Sequence, residues 1–390
     1  MRFFIVITIL TLLNSYVTLK FANYFGISSV VKTCVILCLV SFQSIGLLGL
    51  QKILLKAEKS LEVNNLSTFI YRTSYLVLGV IQCLFVYNLL ADIIKLVLYI
   101  SAPISPLAMD KYYCEFCKFS VPLTVVVTSI TVLVGIIKVV RGPIVEKVDI
   151  TLDKLPKSFD GFTIVQISDL HVGSTIKRSY VENVVKITNS LKADLIALTG
   201  DFVDGDVEYL KDEVAPLANL SSSYGTFFVA GNHEYYAGID QWLEEFESIG
   251  FVNLINEHVL ISKTEEQFVL AGVTDYSTIR RKLNDPSSPT KAVIGVPTGL
   301  VKILLAHHPA SHLQAKKAGF DLQLSGHTHG GQYFPFTFLI RFFHRYYRGL
   351  NNHDGMWIYI NRGTGYWGPP LRVGSPAEIT LITLKSKNHD

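Results

Sequence analysis

Four apolar runs in the first third of the chain, at about residues 3–19, 29–49, 73–101 and 119–140, set the strongest limit on its fold. Each approaches the roughly 20 residues that a helix needs to cross a hydrocarbon core. Backbone in lipid must satisfy its own hydrogen bonds, so helices are expected in all four. The first run could be a secretory leader with Arg2 as its charged start. It lacks a small-x-small cleavage pattern and further runs follow, so it reads as a span. A core helix of a soluble domain would show a polar face, which these runs lack. Asp92 and Lys95 share one face of the third run, where snorkelling from a helix end is the expected reading.

The rest of the chain has a different character. Of 390 residues, 49% are hydrophobic and 17% charged, too greasy for one soluble globule, and the excess lies in residues 1–140. Residues 1–144 are therefore expected as a membrane region of about four helices, and residues 145–390 as a separate soluble domain, with "RGPIVEKV" (141–148) as the linker. Arg2, Lys52, Lys56, Lys59, Arg141 and Lys147 fall on one side of such a membrane, against Lys20, Lys111 and Lys118 on the other. That bias puts the soluble domain in the cytoplasm. A net charge of +3 without a basic stripe excludes nucleic acid as the main partner. The five cysteines, Cys34, Cys38, Cys83, Cys114 and Cys117, all precede the soluble domain, so its chemistry is not thiol chemistry. The pair in "CEFC" is expected in a loop, as idle thiols or a disulfide, because no second pair completes a zinc site.

From residue 145 onward, short β-branched runs alternate with helical stretches, and five of the runs stop on a polar, ligand-type residue. "FTIVQISDLHVG" ends on Asp169 and His171, "ADLIALTGDFVDG" on Asp201, "YGTFFVAGNHEY" on Asn232 and His233. "LVKILLAHHPA" ends on His307 and His308, and "FDLQLSGHTHGG" on His327 and His329. In α/β sheets, sites form beyond the carboxyl ends of strands, so residues distant in sequence can converge on one rim. Two carboxylates, one amide and four imidazoles are too many for one tetrahedral site. They suit two divalent cations sharing a carboxylate, an arrangement used for in-line displacement at phosphorus. Imidazole and carboxylate ligands admit Mn, Fe, Zn or Co.

The ordered set D-x-H, GD, GNHE, H-x-P and GHTH resembles the calcineurin-like metallophosphoesterase family, in particular a membrane-associated branch ending in "GHTHGGQ"; the likeness covers about residues 160–385. It implies a layered β-sandwich flanked by helices, with Asp169, His171 and His329 on a first metal. Asn232, His307 and His327 would hold a second, Asp201 would bridge them, and His233 would be the catalytic histidine. The implied activity is hydrolysis of a phosphoester or pyrophosphate bond in a small-molecule or lipid-linked substrate, such as a UDP-diacylglucosamine-type nucleotide glycolipid. The alternative is a non-catalytic interaction domain of the same fold tethered to a membrane assembly. Arg362 and Arg372 are candidates for binding a phosphate. His308 is expected behind the ligands or exposed, His312, His344 and His353 on the surface, and Asp204 and Asp206 as turn-formers. Glu234 reads equally as an orienting or a structural group. "FPFTFLIRFFHRYYRGL" (334–350) mixes aromatics with Arg341, Arg345 and Arg348, the pattern of a segment at headgroup level or of a partly buried loop.

Overall fold

The computed structural model describes residues 2–54, 65–101 and 106–387. Four helices come first: α1 (Arg2–Tyr24), α2 (Ser29–Leu54), α3 (Asn65–Ser101) and α4 (Pro106–Arg141). Among the described residues, Ile5–Tyr24, Phe69–Ser101 and Tyr112–Arg141 are long and apolar enough to cross a membrane. The described apolar part of the second run, Ser29–Ser44, is shorter than that. Lys56 and Lys59, used for orientation, lie outside the described residues. "CEFC" is not in a loop: α4 begins at Pro106, which places Cys114 and Cys117 one helical turn apart as free thiols.

Polar side chains tie this helical unit together, because lipid tails supply no hydrophobic drive between helices. Buried Asn14 of α1 donates to the Gln43 side chain of α2 at 2.9 Å. Asp92 of α3 accepts from Tyr16 (2.6 Å) and Lys20 (2.5 Å) of α1, pairing across the two helices. Tyr87 and Thr131 join α3 to α4 at 2.9 Å. The short segment Gly368–Val373 also belongs to this unit. Leu371, wholly buried, wedges between Gly79 and Gly135. A Cβ at Gly79 would lie 2.7 Å from Leu371 Cδ1, and one at Gly135 would lie 3.1 Å from Cδ2, so both helices need glycine there.

The second unit runs from Lys138 to Trp367 and resumes at Gly374. Its strands are β1 (Ile144–Leu152), β2 (Thr163–Ile167), β3 (Leu195–Thr199), β4 (Thr226–Val229), β5 (Phe251–Asn253) and β6 (Glu257–Lys263). There follow β7 (Glu266–Gly272), β8 (Lys302–Leu305), β9 (Leu322–Ser325), β10 (Gly349–His353), β11 (Met356–Ile360) and β12 (Glu378–Ser386). They form two six-stranded sheets, in the orders β1-β12-β2-β3-β4-β5 and β10-β11-β9-β8-β7-β6. The sheets face each other across a core that includes Ile164, Leu195 and Phe227 from one and Phe268, Ile303 and Leu322 from the other. Side chains of this kind contribute about 1.5–3 kcal/mol each when fully buried.

Helices cover the outer face of the first sheet. In α5 (Arg178–Ser190), Val181, Val184, Val185 and Thr188 recur at helical spacing and are buried. Trp242 and Phe246, on the helix Ile239–Ser248, pack beside them. Strands β2, β3 and β4 are mutually parallel, as are β7, β8 and β9. Each set therefore ends on one side, and the two rims meet. His307, just past β8, sits 2.8 Å from the Thr199 carbonyl at the end of β3. The Gln166 amide donates to both Thr199 Oγ1 and the Ser325 carbonyl at 2.9 Å, clasping the two sheets at that edge.

Replacing Leu371 with alanine removes a buried side chain from the helical unit and is expected to destabilise it by about 2–5 kcal/mol. The thermal midpoint of the full-length protein in detergent would fall; an unchanged midpoint would contradict this packing.

Candidate metal centre

All seven ligand-type residues lie just past strand ends. β2 leads into Asp169 and His171, β3 into Asp201, β4 into Asn232, β8 into His307, and β9 into His327 and His329. Five of them, Asp169, His171, Asp201, His327 and His329, have left-handed backbone with φ between 50° and 72°. For a residue with a side chain, that conformation costs of order 1–3 kcal/mol and persists only where the surroundings enforce it. Here they do. The Asp169 N–H donates to the Gly200 carbonyl at 2.9 Å and the His171 N–H to that of Asp201 at 3.1 Å. The His327 N–H donates to both Asp169 carboxylate oxygens at 3.0 Å.

Glu234 is the hub of this scaffold. Its buried carboxylate accepts from the N–H groups of Gly231 (2.7 Å), Asp201 (3.0 Å), Phe202 (2.6 Å) and Val203 (3.3 Å). It thus joins the loop after β3 to the loop after β4. Two glycines let backbone press against the carboxylates. A Cβ on Gly231 would collide with Asp201 Oδ1, and one on Gly326 with Ser168 Oγ and Asp169 Oδ2.

The side chains converge in three overlapping groups: Asp169, His171 and His329; His171, Asp201 and His233; and Asp201, His307 and His327. His171 Nε2 and His329 Nε2 face each other at 3.1 Å, with Asp169 Oδ1 3.4 Å from the latter. His307 Nε2 and His327 Nδ1 face each other at 3.2 Å, with Asp201 Oδ2 3.1 Å from His307. Asn232 Oδ1 is buried and has no hydrogen-bond partner. Facing ring nitrogens and an unpartnered buried carbonyl oxygen are donors waiting for positive charge, and their mixture of oxygen and nitrogen suits the divalent metals expected above. The residues present fit such ions.

The electrostatics of the bare protein agree. Burial pushes Asp201 up, but the charges of His307 and His233 prevail and hold it well below the usual carboxylate range. Burial disfavours a charged His307, yet Asp201 and Asp169 raise it well above the ordinary imidazole value. Its neighbour His327 is driven well below that value by burial and by the charges of His307 and His308. His233 is opposed by burial but raised to about 9 by Asp201 and Asp204. Glu234 is pushed up to about 7 by burial and by the charge of Asp201.

Asp204 is more than a turn-former. One of its oxygens is hydrogen-bonded to His171 Nδ1 at 2.8 Å and makes an ion-pair contact with His233 Nδ1 at 2.7 Å. The turn-like "DFVDG" context concealed this. Gln332 was also missed: its side chain clamps the Trp367 peptide, donating to the carbonyl and accepting from the N–H, both at 3.0 Å. Trp367 is half-exposed, and its ring lies 6.0 Å from that of His233, with Tyr236 at 5.6 Å. His308 stands behind the ligands, its ring 4.3 Å from that of His327. His344 is half-buried 5.7 Å from the His327 ring, and His312 and His353 are buried with rings 4.7 Å apart. His312 and His353 are therefore not surface residues; packing invisible in local sequence turns them inward. The Arg362 guanidinium is ion-paired with Glu378 and with Glu146 (2.7 Å). Arg372 is wholly buried in the helical unit, where its N–H donates to the Gly135 carbonyl at 3.3 Å.

Comparison with known proteins agrees with the geometry. A family model described as calcineurin-like phosphoesterase matches residues 162–331. A Danio rerio protein named transmembrane protein with metallophosphoesterase domain is 36% identical over 273 residues, 67% of this chain and 62% of the relative. An uncharacterized metallophosphoesterase of Helicobacter pylori is 39% identical over 248 residues, 63% of this chain and 65% of the relative. One from Campylobacter jejuni is 32% identical over 308 residues, 78% of this chain and 79% of the relative. The chain thus spans less than two thirds of the length of the first two relatives and more than two thirds of the third. It belongs to the metallophosphoesterase family.

Replacing Glu234 with alanine would strip the acceptor from four buried N–H groups. At about 1–3 kcal/mol for each group left unsatisfied, the full-length protein should melt at a markedly lower temperature. A variant as stable as the parent would contradict the assigned hub.

Proposed function

We propose that this metallophosphoesterase is a membrane-attached hydrolase that cleaves a phosphoester or pyrophosphate bond at a centre of two divalent cations. The observation that carries the reading is the pair of facing imidazole couples, at 3.1 and 3.2 Å, lined by Asp169 and Asp201. Asp169, His171 and His329 would hold one ion, and Asn232, His307 and His327 the other, with Asp201 shared. Bound there, such ions would stabilise charge on phosphoryl oxygens and lower the pKa of water.

The chain's own groups then have distinct tasks. Asp204 holds Nδ1 of His233, leaving Nε2 turned toward the centre, 3.9 Å from Asp201 Oδ2. From there Nε2–H can donate to a leaving oxygen or stabilise its charge. The half-exposed rings of Trp367 and Tyr236, 6.0 and 5.6 Å from that of His233, offer apolar surface to a leaving group. Asp204 also fixes His171, so one carboxylate orients a ligand and the proton donor together. A non-catalytic relative would be expected to lose members of this set; this chain retains them all.

The narrower reading is a lipid-linked phosphoester, such as a nucleotide glycolipid, with the hydrolase unit in the cytoplasm. The apolar helices support it, as does the Lys and Arg bias of a four-span arrangement. A screen of lipid extracts by mass spectrometry would test the substrate class directly.

Full-length protein in detergent should hydrolyse bis(p-nitrophenyl) phosphate when supplied with Mn²⁺ and lose that activity on chelation. Asp201→Ala should lose bound metal and activity together. His233→Ala should retain metal while its rate falls by about 10²-fold or more. A His233→Ala enzyme as fast as the parent would contradict the assigned role, and no turnover with any divalent ion would contradict the hydrolase reading.

A further inference from the structure

The loop carrying His327 and His329 leads directly into a short helix, Phe336–Phe343, none of whose residues is buried. Phe336, Phe338, Leu339, Phe342 and Phe343 are 37–79% exposed, and Phe343 is the most exposed of them. A water-facing helix carrying that much apolar surface calls for a covering. Three arginines accompany it. The Arg341 guanidinium lies 4.6 Å over the Phe338 ring, with Arg345 over Tyr346 (5.3 Å) and Arg348 over Tyr347 (5.5 Å). No aspartate or glutamate occurs between Asp321 and Asp354, so no acidic residue of this stretch offsets them.

We propose that the Phe336–Phe343 helix is a docking element for an anionic lipid surface, its rings entering the interface and its arginines meeting headgroup phosphates. Aromatic and basic side chains together are the combination that lies stably at that depth. A lipid surface is favoured over other coverings on two grounds. The chain's own apolar helices keep a bilayer within tether distance, so docking is an intramolecular event with a high effective concentration. A second copy pairing through the same face would instead set the arginine patch against itself. The docking helix is also mechanically close to the metal centre: the Phe336 carbonyl presses on Gly331, two residues past His329, where no side chain would fit. Docking therefore fixes the metal-binding loop beside the interface from which a lipid-borne phosphoester would be drawn. That last consequence rests on the hydrolase reading; the docking itself does not.

The test uses the full chain, one copy per nanodisc, with Phe343→Trp as the reporter and the unsubstituted chain as the background for the native tryptophans. In discs of phosphatidylglycerol with brominated acyl chains, the added emission should be strongly quenched relative to unbrominated discs. Adding Arg341→Glu and Arg345→Glu should abolish most of that quenching. Equal emission from Phe343→Trp in brominated and unbrominated discs would overturn the proposal, as would quenching seen only when two copies share a disc. Hydrolysis of bis(p-nitrophenyl) phosphate is measured on the same discs. Quenching without turnover would sink the hydrolase and spare the docking helix, and turnover without quenching the reverse.

Discussion

Two couples of imidazole nitrogens, each facing its partner at just over 3 Å beside a buried carboxylate, are the constraint on which the rest of this molecule turns. Two ring nitrogens that close must share either a proton or a cation between them. The carboxylates beside His307 favour its charged form, whereas burial and the charges of His307 and His308 disfavour that of His327. A divalent ion is the stronger solution, and the unpartnered oxygen of Asn232 is aligned with that need.

The fold serves this constraint by stopping strands of two sheets at a common rim and bending the chain sharply where each one ends. The left-handed backbone at five ligand positions is unfavourable taken singly. It is held by interactions that span the two sheets: the Glu234 carboxylate gathering N–H groups from two loops, the Asp169 carboxylate receiving His327, and Gln166 clasping β3 to β9. The same device, a buried polar side chain joining separate elements, recurs in the helical unit, where Asn14, Asp92 and Tyr87 each bridge two helices.

Much of the centre was legible in the sequence because its ligands follow strands, and a strand ending on Asp, Asn or His leaves a visible break in an apolar run. The strands and covering helices were legible for a related reason, because β-branched runs and the Val181, Val184, Val185 spacing are local signals, whereas their layering as a sandwich was implied only by the family resemblance. What the sequence concealed depends on distant partners. Asp204 looks like any aspartate before a glycine until two imidazoles close on it. Arg362 looks free to bind phosphate until β12 brings Glu378 beside it. Nothing local to Gly368–Val373 shows that its Leu371 fills a notch left by two glycines of the apolar helices. The "CEFC" pair suggested a loop because the apolar run begins after it, whereas α4 starts a full three turns earlier.

The most direct check is the metal content of the full-length protein, purified in detergent without chelators and analysed by inductively coupled plasma mass spectrometry. Two divalent transition-metal ions per chain are expected, falling to fewer than one when Asp201 is replaced by alanine. A parent protein that holds none, even after incubation with manganese, iron, zinc and cobalt in turn, would contradict the metal centre and every chemical step built on it.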